Sequence, residues 1–122
     1  MRLSVFAAGL AIVAASSVAH ADADAVAGKS VFKRCSFCHS PAPGKNSFGP
    51  TLFGVVGRQS GSVAGYSYSD AMKVANKTWD PATLNVYLSD PKAMVPGTKM
   101  TFAGLPKDED RANLIAYLET LK

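Results

Sequence analysis

The chain has 122 residues, 48% of them hydrophobic and 18% charged, which bounds it to one domain with an ordinary folded protein's apolar share. Thirteen Lys and Arg stand against nine Asp and Glu, a formal net charge of +4. Those charges form no basic stripe, so nothing in their distribution points to nucleic acid; a mild surplus suits an acidic partner instead.

The first stretch, MRLSVFAAGLAIVAASSVAHA, differs from the rest. Arg2 supplies a positive start, residues 3–15 are almost all apolar, and Ala19-His20-Ala21 is a small-x-small cleavage pattern. It predicts a signal peptide over residues 1–21 and a mature domain over 22–122, with cleavage after Ala23 as the close alternative. The apolar core is shorter than the ~20 residues a spanning helix needs. The expectation is a soluble, exported, periplasmic protein; an uncleaved membrane anchor is the competing reading. Loss of Arg2 and His20 would reduce the basic surplus to three and leave His39 as the one histidine.

A helical pattern follows over Asp24–Cys38, with Gly28, Val31, Phe32 and Cys35 on one face. Gly28 costs ~1 kcal/mol in a helix interior relative to Ala, and a close helix–helix contact would account for it. The run RCSFCHS at 34–40 then places Cys35, Cys38 and His39 within five residues, with no cysteine elsewhere. Export makes a disulfide a real alternative. A thioredoxin-like pair would need a βαβ context, and no strand pattern supplies one. Zinc would have two sulfurs and one nitrogen and lack a fourth soft ligand. The remaining reading of C-x-x-C-H is attachment of a c-type haem. On a helical turn, Cys35 and Cys38 share a side and His39 lies close by. Both sulfurs can reach the vinyl groups along one porphyrin edge, and the imidazole can face the iron.

Residues from Ser40 to Tyr68 are rich in Gly, Ser and Pro and read as long loops. Such loops are unusual in a compact domain unless they wrap something. A haem would provide that, and would enlarge an otherwise marginal core. Met72 lies in YSDAMKVA, a short helix-like stretch where packing is its expected task. In WDPATLNVYLSDP, Asp80 is the expected N-cap, Pro81 the first helical residue, and Pro91 the stop. Leu84, Tyr87 and Leu88 make its apolar stripe. The last helix is DEDRANLIAYLETLK, with Leu114, Ile115, Leu118 and Leu121 on one face and Asp108, Glu109 and Asp110 at its positive end.

Electron transfer normally uses a second axial ligand from the protein. Met72, Met94, Met100 and the lysines are candidates. Met94 equally suits core filling. Met100 ends VPGTKM, where the Pro96-Gly97 turn and Thr98 would stiffen the loop that a weak thioether ligand needs. That favours Met100 without excluding the others.

Taken in order, GKSVFKRCSFCH, GPTLFGVVGR, GYSYSDA, a single Trp, YLSDPKAMVPGTKMTFAG and LIAYL resemble a class I cytochrome c, of the mitochondrial and α-proteobacterial cytochrome c2 type. The likeness runs from Gly28 to the C-terminus. It implies an all-α cytochrome c fold, with about three to five helices and long loops wrapped around one haem c held by two thioethers. It implies His39 and Met100 as axial ligands, and a Pro50 carbonyl that accepts from the proximal imidazole. Arg58, Tyr68 and Trp79 match positions around the haem propionates, although simple aromatic core would explain the last two. Tyr87 matches a tyrosine near the methionine sulfur, and Phe102 an aromatic beside the crevice. Met72 departs from the pattern: mitochondrial members usually carry asparagine there, in a hydrogen-bond network under the haem.

The expectation is a monomeric, single-haem electron carrier and not an enzyme. Its partners would be redox proteins with acidic docking surfaces: a quinol–cytochrome c oxidoreductase, a cytochrome oxidase, a reaction centre or a periplasmic dehydrogenase. Lys33, Arg34, Lys45, Lys92 and Lys99 cluster around the attachment site and the methionine loop, where they would steer such partners. A haem enzyme or sensor would instead need an open sixth position or a distal acid or base.

Overall fold

The computed structural model describes residues 9, 11, 12 and 23–122. The signal segment expected over 1–21 otherwise lies outside them. Among the described residues five helices form: α1 (Ala25–Phe32), α2 (Asp70–Lys73), α3 (Pro81–Ser89), α4 (Pro91–Met94) and α5 (Asp108–Glu119). The one β feature among the described residues is an isolated antiparallel bridge between Gln59 and Thr78. The all-α class and the helix number agree with expectation.

Local chemistry explains the helix boundaries. The Asp24 carboxylate accepts from Val26 N and Ala27 N, which α1 would otherwise leave unpaired. Asp80 accepts from Thr83 N at 2.7 Å, with Pro81 as the first residue of α3. The α3–α4 boundary repeats that device: Asp90 accepts from Ala93 N, and Pro91 both ends one helix and opens the next. Helix α1 is shorter than the expected Asp24–Cys38. After Phe32 the backbone bonds tighten, Lys33 N to Ser30 O and Arg34 N to Val31 O, in the i→i−3 pattern. A helical turn is restored across the motif by His39 N to Cys35 O at 2.9 Å.

Helices α1 and α5 cross at Gly28, which is buried. A Cβ there would overlap the Asn113 carbonyl oxygen and lie 2.9 Å from Tyr117 Cβ. The contact is sealed by Asp24 N donating to Asn113 Oδ1 at 2.8 Å, and by Phe32 and Tyr117 rings 5.2 Å apart. The α5 stripe turns inward as expected, with Leu114, Ile115 and Leu118 buried and Leu121 packed beside them.

Arg111, on the same helix, is only 7% exposed. Its guanidinium donates to Asn85 Oδ1 on α3 (2.9 Å), to the Leu105 carbonyl (2.6 Å) and to Asp108. A buried cation needs such a full set of acceptors, and here they tie α5 to α3. Hydropathy patterning had no way to find it.

Candidate functional site

Cys35, Cys38 and His39 lie on one wall of a cavity of 650 Å³. The rest is supplied by distant parts of the chain: Leu52, Val55 and Arg58 from the first long loop, Tyr68 and Met72 around α2, Trp79 before α3, Leu84, Tyr87 and Leu88 on α3, Met100 and Phe102 after α4, and Leu114 and Leu118 on α5. The long loops therefore surround a largely apolar space.

His39 is held in one orientation. Its Nδ1 lies 2.7 Å from the Pro50 carbonyl oxygen. A carbonyl only accepts, so Nδ1 carries the proton and the Nε2 lone pair is free, the form a metal requires. Burial lowers the His39 pKa; the Pro50 bond opposes this and the Arg58 charge adds to it. The neutral ring is thus favoured. Gly49 packs flat against the imidazole: a Cβ there would fall on the ring, 2.6 Å from Nδ1 and 2.8 Å from Nε2. The GP pair is therefore more than a turn, since Gly49 makes room for the ring and Pro50 binds it.

No disulfide joins Cys35 and Cys38, which leaves both sulfurs available to a group in the cavity. Burial, reinforced by Cys38 and opposed by Arg34, pushes the Cys35 thiol up to about 11, so before attachment this sulfur is protonated at neutral pH. Among the described residues, no group of three or more His, Cys, Asp and Glu side chains is placed to enclose a metal ion. Two thiols at i and i+3, a neutral imidazole with a free nitrogen and an apolar space beside them fit a covalently attached haem.

The three methionines separate by position. Met94 packs against the core and does not line the cavity, whereas Met72 and Met100 both do. Met100 is the one that is braced. Thr98 N donates to Val95 O at 3.0 Å across a turn in which Gly97 has φ +87°, a conformation suited to glycine. Met100 N donates to Thr98 Oγ1 at 3.2 Å, and Tyr87 Oη donates to Met100 Sδ at 3.2 Å. Both the backbone and the sulfur are positioned.

Arg58 uses Nη1 to donate to the Thr51 and Phe53 carbonyls, at 2.9 and 3.2 Å, which folds the loop around it. Its burial lowers its pKa, and Tyr68 opposes that; a guanidinium nonetheless remains charged. Tyr68 Oη accepts from Val63 N at 3.0 Å. Trp79 is buried and packs against Tyr87, with centroids 4.7 Å apart. Arg58, Tyr68, Trp79, Tyr87 and Phe102 all line the cavity.

Of the expected cationic cluster, Arg34 and Lys99 line the cavity. Lys99 Nζ donates to the Ser67 carbonyl and lies 4.6 Å over the Tyr66 ring, so it is anchored rather than loose. Lys33, Lys45 and Lys92 are exposed. The sequence reading missed Phe37, Phe48 and Gly49. Their only linear signals are a phenylalanine inside the motif, another nine residues after His39, and a glycine before Pro50.

Comparison with known proteins agrees with this geometry. The family model described as "Cytochrome c" matches residues 25–122. Cytochrome c2 of Rhodomicrobium vannielii is 51% identical over 113 residues, covering 92% of this chain and 90% of that protein. Cytochrome c2 of Blastochloris viridis is 48% identical over 120 residues, covering 98% and 93%. Among solved structures, cytochrome cH from Methylobacterium extorquens superimposes with a TM-score of 0.76 at 48% identity, covering 80% of this chain and 98% of that one.

Proposed function

The chain belongs to the cytochrome c family, class I and cytochrome c2 type, and we propose that it is exported and carries electrons in the periplasm, with His39 and Met100 as the axial ligands of its haem. As a family member it carries haem c covalently and is a single-haem electron-transfer protein, not an enzyme. The observation that carries the ligand assignment is the gathering of Cys35, Cys38, His39 and the braced Met100 in one apolar cavity.

The haem supplies a one-electron Fe(III)/Fe(II) couple, and His/Met ligation biases it to a high potential. The residues do the remaining work. Cys35 and Cys38 hold the group against loss outside the cytoplasm. Pro50 fixes the His39 tautomer, and Gly49 lets the ring seat. Thr98 and Tyr87 position Met100, so little has to move when the charge changes. The apolar walls disfavour net charge, which again favours the reduced state. Arg58, Tyr68 and Trp79 would face the propionates, and Phe102 would flank the crevice.

Export rests on residues 1–21, and no described helix is long and apolar enough to cross a membrane. The partners would be acidic redox proteins: a quinol–cytochrome c oxidoreductase with a terminal oxidase, a reaction centre or a periplasmic dehydrogenase. Lys33, Arg34, Lys45, Lys92 and Lys99 would steer them, so rates should fall as salt shortens screening to ~8 Å at physiological ionic strength.

The test is the protein purified from its own cells. It should begin at Asp22 or Asp24 and exceed the apo-chain mass by one haem, which acid–acetone does not extract. Reduced protein should be oxidised by membranes of that organism, and a specific inhibitor of each complex identifies the partner. Retention of residues 1–21, or extractable haem, would refute the reading.

A further inference from the structure

Two phenyl rings stand in solvent at the rim of the cavity. Phe37 is 81% exposed and Phe48 72% exposed, yet they stack on each other, with centroids 5.6 Å apart and planes 17° apart. The other large apolar side chains exposed within 23–122 are single valines: Val26, Val74 and Val86. Scattered apolar residues need no explanation, but an ordered aromatic pair beside a functional cavity does.

The backbone fixes this pair. Gly49 N donates to Cys38 O at 2.8 Å, drawing the Phe48 loop onto the motif's turn. Tyr66 Oη donates to the Phe48 carbonyl at 2.7 Å and holds the loop from its other side. Phe37 is two residues from Cys35, off the face that Cys35 and Cys38 share. Both rings line the cavity and are exposed, so they border whatever the two sulfurs hold. Cations accompany the rings: Arg34 and Lys99 line the same cavity, and Lys33 and Lys45 are exposed and close in sequence to Phe37 and Phe48.

An aromatic centre with a charged rim is the make-up of a protein–protein contact. Electron-transfer encounters are small, below ~1,200 Å². Two aromatic side chains, each able to bury ~150–250 Å², would form a large part of one. We propose that Phe37 and Phe48 are the apolar centre of the docking surface, seating in an apolar notch framed by carboxylates on a redox partner. This rests on the electron-carrier reading above. In the docked pair one electron passes from the reduced to the oxidised protein, and no atom or proton is transferred. The rings supply contact that salt cannot screen, while the cations supply steering. Because the pair is already ordered, little entropy is lost on docking.

The experiment uses the haem-loaded protein and the terminal oxidase purified from the same cells. Affinity is measured across a range of salt for wild type, Phe37→Ser, Phe48→Ser and the double variant. Midpoint potential and thermal stability are recorded for each. The double variant should bind about tenfold or more weakly, the scale of an interfacial hot spot. Its log-affinity against log-salt slope, potential and stability should match wild type. Affinity within twofold of wild type, or a changed salt slope with no loss at high salt, overturns the proposal. So does self-association, or binding to neutral phospholipid vesicles, that disappears in the double variant, because the rings would then serve a second copy or a membrane. Wild type that binds the oxidase at no salt concentration overturns the carrier's assignment to that partner together with the docking surface. Equal binding by wild type and double variant overturns the docking surface alone.

Discussion

Tyr87 Oη donates to Met100 Sδ across 3.2 Å, joining the buried face of α3 to the braced loop after Gly97. A donor on a thioether draws electron density from the sulfur, and the more electron-demanding Fe(III) loses more by that than Fe(II). Tyr87→Phe should therefore lower the midpoint potential. The net worth of one hydrogen bond, ~0.5–1.5 kcal/mol, corresponds to about 20–60 mV for a single electron. Redox titration checks it; an unchanged or higher potential would show that the hydroxyl does not act on the sulfur.

The same hydroxyl makes an alkaline prediction. Burial, helped by the nearby Tyr66 and opposed by the Thr98 hydroxyl, pushes the Tyr87 pKa up from 10.0 to about 12. The unfolded chain would release this proton first, so ionisation favours unfolding. The contribution of Tyr87 is full below pH 10 and is lost as pH rises through about 12. Melting curves of wild type should fall more steeply across that window than those of Tyr87→Phe. Parallel curves would mean that the hydroxyl is not buried as described.

Ligation can be read from spectra. The oxidised protein should show a methionine–iron charge-transfer band that is lost in Met100→Ala and retained in Met94→Leu and Met72→Leu. Met100→Ala should also bind added imidazole or cyanide more readily, and its potential should drop. Persistence of the band in Met100→Ala, with loss in Met72→Leu, would move the assignment to the other methionine that lines the cavity.

Gly28 offers a test in which two effects have opposite signs. Alanine in an exposed helix interior gains up to ~1 kcal/mol over glycine. Here its Cβ meets the Asn113 backbone, 2.5 Å from the carbonyl carbon, which cannot swing aside. Gly28→Ala should therefore lose about 1–3 kcal/mol in denaturant melts, the range for overpacking, and Gly28→Leu should lose more. A stabilised Gly28→Ala would mean that α1 and α5 do not meet there.

Features resting on neighbours in the chain were legible beforehand. The Asp80-Pro81 start of α3 is a bond within four residues, and the stop at Pro91 follows from a ring that cannot continue a helix. The spacing of Cys35, Cys38 and His39 follows from the helical turn alone. One local expectation ran too far: periodicity carried α1 to Cys38, but its i→i−4 pattern breaks after Phe32, because apolar spacing says which face is buried and not where the ladder tightens.

What the sequence by itself determined is the chemistry available: two thiols and an imidazole on one turn, methionines to choose among, helices with their caps, and a glycine that asks for a close neighbour. Only the tertiary structure decided which of these meet. Met72 and Met94 are alike in sequence terms, yet one lines the cavity and the other fills the core. The buried Arg111 finds Asn85 26 residues away, and Tyr87 reaches Met100 across 13. Phe37 stacks on Phe48 because a bond from Gly49 N to Cys38 O closes the loop between them. Caps and turns are set by a few adjoining dihedral angles, so a linear reading reaches them. Contacts across a loop depend on how the whole chain closes around its core, and no local period encodes that closure.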